Sequence, residues 1–380
     1  ILTWLVEDFD LPTDSKMPWR TNVGKGVLLK AFDTFGIHPE KNPDWTKSAK
    51  TGSPSFSKDT LMAISEGTEA EPLARALATL QGQRSLAELA LDSTWEDGLA
   101  HPEITSLQRS GRFSMTNPSL PIWGSRTDEL AKEKEYFIAR PGHKLVECDF
   151  SNADQRIVAA LSGDSNYAKR FEPGVDGHEI SGRLMFGDEL YDSDPKGKRH
   201  IAKALSHAFA YGAGVKTLAR TSKLPESDDP EESPLALAQK FVDAMNQAYP
   251  WNKRWRERAA QTGESDGYVV DPVGRKLWVD EDRSWTMSPG LLGQAGTRYI
   301  LTEALIRIAS ERMDVIKWCV AHVHDAVLWD IPEEHLDWAI PYIKSRMEMT
   351  YDPKTNISQP IYFPVSFGEP ADDWMRASHG

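Results

Sequence analysis

Asp149 and Asp325 each stand where an apolar run ends and the chain turns. A carboxylate in such a place is destabilising unless it is paired or binds a cation. Each also has a plainer explanation. Asp149, in CDFSNADQR (148–156), fits a helix cap after a strand, and Asp325 fits a turn residue. His322 and His324 alternate along a strand and so share a face, but no third ligand lies near them, and zinc is not expected. A third feature is RHIAKALSHAFAYG (199–212), in which Arg199, Lys203, His207 and Tyr211 recur every four residues as one helical stripe. Two cations followed by two rings suit a triphosphate and then a sugar or base. A solvated basic face is the alternative, although His207 and Tyr211 are poor choices for one. Taken together, two strand-end carboxylates and a cationic-aromatic helix point to metal-dependent phosphoryl transfer. There, metal ions bridge the carboxylates, activate a hydroxyl and neutralise the leaving pyrophosphate. No P-loop, G-x-S-x-G or Cys/His nucleophile pattern is present.

These residues need elements to hold them. The pattern predicts a strand over Leu145 to Phe150 running into a helix from about Ala153 to Leu161, with Ser151 or Asn152 as cap and Gly163 as stop. Helices are expected over 23–36, within 72–92, over 196–211, over 235–248 with a break at Pro250, and from about Ala295 to Arg312. GYVVDPVGRKLWV (267–279) reads as a hairpin turning at Pro272 and Gly274. Two apolar runs, 316–323 and 326–331, hinge at His324-Asp325, followed by a helix near Glu333 to Met349 and a strand near 361–367. The order is helices, sheet, many helices, then sheet again, an α+β layout with a helical insertion between pieces of one sheet.

The 380 residues, 40% apolar and 27% charged, are ordinary for a globular protein of two or three cores or one multi-lobed unit. No apolar run has membrane length and the N-terminus is no signal peptide, so a cytoplasmic location is expected. The first residue is Ile1, so a processed or truncated piece of a longer chain is expected. Cys148 and Cys319 read as reduced, buried hydrophobes rather than a disulfide framework or zinc site. A formal charge of −13 argues by itself against a nucleic-acid partner, but the acid is uneven. Glu226, Asp228, Asp229, Glu231 and Glu232 fall in one surface loop, while 196–220 and 253–258 are locally basic.

The three features in order resemble the motifs of family A (polymerase-I-like) DNA polymerases: DFSNADQR their motif A, RHIAKALSHAFAYG motif B, and HVHDAVLWDIP motif C. GRFSMTNPSLPIW (111–123), DGHE (176–179), GYVVDPVGRKL, GQAGT (293–297) and FGEPADDW resemble lesser family segments, so the likeness spans roughly residues 20 to 376. It implies a right-hand fold: an antiparallel palm sheet, helical fingers inserted in the palm, and a partial helical thumb. The implied division is 1–110 thumb and N-terminal segment, 111–164 palm, 165–285 fingers, and 286–380 palm with the C-terminal segment. The implied reaction is template-directed addition of dNTPs to a primer, with two Mg²⁺ ions for which Mn²⁺ can substitute. Asp149, Asp325 and the carbonyl of Phe150 would ligate metal, and Lys203 would serve catalysis. Arg199, Lys203 and His178 would hold the triphosphate, with His207, Tyr211 and Asp154 beside the nucleotide. Arg112, Arg156, Gly212, Gln294 and His324 would meet DNA, Gln294 with a register open by one residue.

Four positions depart from the family pattern. Ala326 replaces a carboxylate after the motif C Asp, leaving two Asp ligands. That leaves room for reduced activity, or for a polymerase-like DNA-binding module. Asp154 is one methylene shorter than the family's Glu against the ribose 2′-hydroxyl, which predicts weaker exclusion of ribonucleotides. His207 replaces Phe or Tyr beside the sugar, and Pro121-Ile122 replaces a polar pair. A single-subunit RNA polymerase is a further alternative, less well matched by DFSNADQR. Too few residues precede Gly111 for a thumb and a nuclease, so no proofreading is expected of this chain. A monomer is expected, with processivity factors or upstream nuclease or helicase domains as partners outside it, and the divergent motifs look phage-like.

Overall fold

The structure is a computed structural model that describes residues 2–14, 18–48, 52–80, 94–106, 108–120, 132–210, 213–221, 229–230 and 233–378, with the backbone alone at 132, 133, 207, 208, 210 and 221. The chain divides into two compact units, residues 1–101 and 102–380. In the first, helices Leu2–Phe9, Asn22–Asp33 and Lys58–Ser65, with helical residues 71–80, bury a core of Leu5, Trp19, Leu28, Phe32, Leu61 and Leu77. Thr21 caps the second helix, its hydroxyl accepting from the Gly24 amide at 2.9 Å.

The second unit is built on a four-stranded sheet of His143–Phe150 (β1), Cys319–Val323 (β2), Ala326–Pro332 (β3) and Val365–Phe367 (β4). Its order is β4-β1-β3-β2, antiparallel throughout. Along β1, Val146, Cys148 and Phe150 are buried, while Glu147 and Asp149 lie on the opposite face, the period-2 alternation of a pleated strand. Helix Ala153–Ser162 (α1) follows after Asn152, which sits at φ 53° and makes no side-chain cap. Gly163 ends it, as expected.

The helical insertion includes Gly177–Phe186 (α2), Pro195–Ala210 (α3), Pro234–Ala248 and Pro250–Asp266 (α4). Pro250 does not simply break a helix; it opens α4, where a missing N–H is harmless. The amides behind it are met by Asp164. One oxygen of this buried carboxylate accepts from Trp251 and Asn252 at 3.0 and 3.1 Å, while the other accepts from Asn166 and Tyr167 at 3.1 and 3.0 Å. One side chain thus caps two helices.

Helix Ser284–Glu311 (α5) begins eleven residues before the expected start at Ala295. Burial of Ser288, Leu291, Leu292 and Ala295 overrides the helix-breaking tendency of Pro289 and Gly290. A Cβ on Gly296 would meet Ile157 Cγ2 at 2.4 Å, so glycine there lets α5 lie directly on α1. Sheet and helices share one core that includes Phe150, Ile157, Phe241, Ile300, Trp329 and Phe363. The expected closing strand near 361–367 is two strands in two sheets, Ile361–Phe363 pairing with Met349–Tyr351 and β4 pairing with β1.

Candidate active site

Strand register assembles the acidic centre. Asp149 on β1 lies opposite Ala326 on β3, and Asp325 is the next residue, in a two-residue turn after Val323. His324 takes φ 59° in that turn, a conformation His tolerates better than β-branched residues. Both aspartates are half-buried. Burial, then repulsion from Asp325 and Glu147, pushes the Asp149 carboxyl up to about 7. Burial and then Asp154 push Asp325 up to about 6, with Arg112 acting the other way. Oδ1 of Asp149 is buried with no hydrogen-bond partner among the described residues.

Asp154, in the first turn of α1, is fixed from two sides. Arg112 donates through Nη2 to its two oxygens at 2.8 and 3.0 Å, and Thr297 donates to Oδ1 at 2.5 Å. The close approach of α5 at Gly296 brings Thr297 there. Gly111, before Arg112, has φ 72° and has the Arg275 guanidinium where a side chain would stand, so both the turn and the space require glycine. Arg112, Asp149, Asp154 and Asp325 are therefore one electrostatic group, in which the Arg112–Asp154 pair is a contact the sequence did not suggest. Thr297 was not singled out in the sequence, because its partner lies 143 residues away.

A second cluster sits on α2 and α3. Asp176 accepts from the His178 and Glu179 amides at 2.9 and 3.2 Å, capping α2, and its other oxygen accepts from Arg199 Nε at 2.6 Å. His178 and Arg199 are thus tied through a carboxylate that sequence reading passed over within DGHE. Lys203 is exposed one turn after Arg199 on α3. The side chain of His207 and all of Tyr211, Gly212, Pro121 and Ile122 lie outside the described residues, as does most of the acidic loop.

Arg156 is a correction. It was expected to contact DNA but is 8% exposed, donating to the carbonyls of Ser151 and Tyr362 at 2.8 Å each and stacking over Phe171 at 4.9 Å. It fastens α1 to neighbouring backbone. The Phe150 side chain is buried in the core. Gln294 is half-buried on α5, where Ala295 and Thr297 face inward. His322, weighed for zinc, packs edge-on against Phe113 at 4.6 Å, and no group of three or more His, Cys, Asp or Glu among the described residues could hold a metal.

The sequence profile described as DNA polymerase family A matches residues 31–374. The DNA polymerase of Mycobacterium phage D29 is 27% identical over 314 residues, 82% of this chain and 48% of that protein. The thermostable DNA polymerase I of Thermus aquaticus is 25% identical over 377 residues, 95% of this chain and 42% of that protein. The chain thus spans less than half the length of these curated relatives. A solved polymerase domain of Pol1 from M. smegmatis, in complex with DNA primer-template and dNTP, aligns with a TM-score of 0.74 at 21% identity, covering 100% of this chain and 67% of that one. That likeness shows the fold, the α+β polymerase architecture anticipated from the sequence.

Proposed function

The chain belongs to DNA polymerase family A, and we propose that it adds dNTPs to a primer 3′-hydroxyl under the direction of a template. The observation that carries this reading is the meeting of Asp149 and Asp325 at the ends of adjacent strands, beside Asp154 and Arg112. Two half-buried carboxylates that repel each other, one with an oxygen that has no partner among the described residues, suit a divalent cation. Mg²⁺ bound there would activate the primer hydroxyl and neutralise charge on the departing pyrophosphate. With two carboxylates in place, the remaining ligands would be the Phe150 carbonyl, water and the nucleotide's phosphates.

The chain's own residues do the positioning. Arg199, Lys203 and His178 hold the triphosphate from α3 and α2, while Asp154 borders the sugar, tied to Arg112 and Thr297. Arg112, Gln294 and His324 face the primer-template. Residues 1–110 act as partial thumb, 111–164 and 286–380 as palm, and 165–285 as fingers, in a monomer working in the cytoplasm. No helix among the described residues is long and apolar enough to cross a membrane. The family match is to DNA polymerases, so a single-subunit RNA polymerase is not favoured.

Primer extension with Mg²⁺ and four dNTPs tests the proposal. Templated extension by the parent, lost in Asp149→Ala and Asp325→Ala, is the expected result. Primer-template binding without extension in either Mg²⁺ or Mn²⁺ would overturn it. That result would favour a polymerase-like DNA-binding module, a reading motivated by Ala326, which sets a methyl opposite Asp149.

A further inference from the structure

Arg298 follows Thr297 on α5 but has very different surroundings. Its guanidinium carbon lies 5.6 Å from the centre of the Phe113 ring, and Phe113 in turn meets His322 at 4.6 Å. This stack joins α5, the connector after Arg112, and strand β2, which leads into the Asp325 turn. Its Nε is buried without a hydrogen-bond partner, and among the described residues the guanidinium makes no ion pair.

The charge that acts on it most strongly is of the wrong sign. Burial, and then the neighbouring Arg275, lower the Arg298 pKa, with Asp271 acting the other way. Asp271 is already committed, since Arg275 donates to it at 2.9 Å and to the Ser110 carbonyl at 3.0 Å. A partly desolvated cation crowded by another cation costs stability unless an anion arrives. Packing on Phe113 also holds the side chain, so little rotamer freedom remains to be lost on binding.

We propose that Arg298 is a DNA-contact residue that donates to a backbone phosphate of the primer-template close to the primer end. The planar guanidinium matches phosphate geometry, and the pairing would relieve its repulsion from Arg275. This inference rests on the proposed function. It adds a contact that none of the motifs supplied.

The test is equilibrium binding of a labelled primer-template by the full chain across a salt series. Arg298→Met keeps the stem on Phe113. It should weaken binding about fivefold and lower the slope of log K against log salt by about 0.9, the loss of one phosphate contact. Arg298→Lys should keep the slope. Arg307→Met, on the same helix but paired with Glu303 at 3.0 Å, should change neither quantity. A parental slope in Arg298→Met, or a reduced slope in Arg298→Lys, would overturn the inference. If the Met variant melts early, Arg298→Gln in the same salt series decides, its slope expected to be lower by about 0.9 and a parental slope overturning the inference. A parent protein that does not bind primer-template at all would remove the proposed function itself, a distinguishable result.

Discussion

Arg112 and Asp154, 42 residues apart, are joined through a single nitrogen, Nη2 reaching both carboxylate oxygens at 2.8 and 3.0 Å. Both side chains are mostly buried, at 16% and 14% exposure, so the pair is not a loosely screened surface contact. It fixes where Asp154 ends, one methylene short of the residue found there in the family it resembles.

Lengthening that side chain should therefore sharpen sugar selection. Asp154→Glu is expected to raise the preference for dNTP over rNTP about tenfold, within the range for one methylene in a discriminating pocket. Thr297→Val, which removes the other tie, should lower the preference. The ratio of kcat/KM values for the two nucleotides measures both.

The acidic pair predicts how the metal-free protein responds to pH. Asp149 and Asp325 hold protons up to about 7 and about 6 when folded, while an unfolded chain releases them near ~3.9. Between those values the folded state binds more protons than the unfolded state, so their contribution to stability falls as pH rises from about 4 to about 7. In EDTA, Asp149→Asn should flatten this decline and melt higher than the parent at pH 8. Melting temperature against pH checks it, and an unchanged slope would count against the pair.

Ala326 offers the converse change. A carboxylate there would stand opposite Asp149 on the neighbouring strand. Ala326→Glu should lower the Mg²⁺ concentration for half-maximal extension by up to about thirtyfold, the effect of about 2 kcal/mol between one carboxylate and a divalent ion near 4 Å in water. It should also lower stability at pH 8 in EDTA. A Mg²⁺ titration of primer extension decides the first point.

If Arg199 holds the triphosphate as proposed, Asp176 would compete with phosphate for it. Asp176→Asn keeps an equally good helix cap and removes the ion pair at 2.6 Å. Exposed pairs are worth about 0.2–1 kcal/mol, so KM for dNTP should fall by up to about fivefold. A raised KM would mean instead that Asp176 orients Arg199 for binding.

Asp164 should matter most to stability. Asp164→Ala removes caps from two helix starts and strands buried amides, which should cost about 3 kcal/mol. Urea denaturation measures it, and a loss under 1 kcal/mol would mean that the helix ends find other partners.

Much of this was legible locally. The strand at 145–150, the helix after it, its stop at Gly163 and the hairpin at Pro272 and Gly274 follow from period and turn chemistry within a few residues. What was missed depends on distance along the chain. Thr297 gains meaning only once Gly296 brings α5 onto α1, and Arg156 reads as a free cation until Tyr362 is folded against it. The early start of α5 was hidden because Pro289 and Gly290 are poor helix formers, rescued here by burial. Asp176 was overshadowed by His178, two residues later.

The turn at His324-Asp325 sets a tolerance for length change. The seven paired residues from Asp149 opposite Ala326 to His143 opposite Pro332 form a ladder that counts residues. Inserting or deleting one residue within 143–149 or 326–332 would turn every side chain beyond it to the other face and separate the two aspartates. The loops between helices carry no such count. Descendants of this chain are free to vary in length there, while the distance from His143 to Asp149, and from Ala326 to Pro332, stays fixed for as long as the two aspartates stay together.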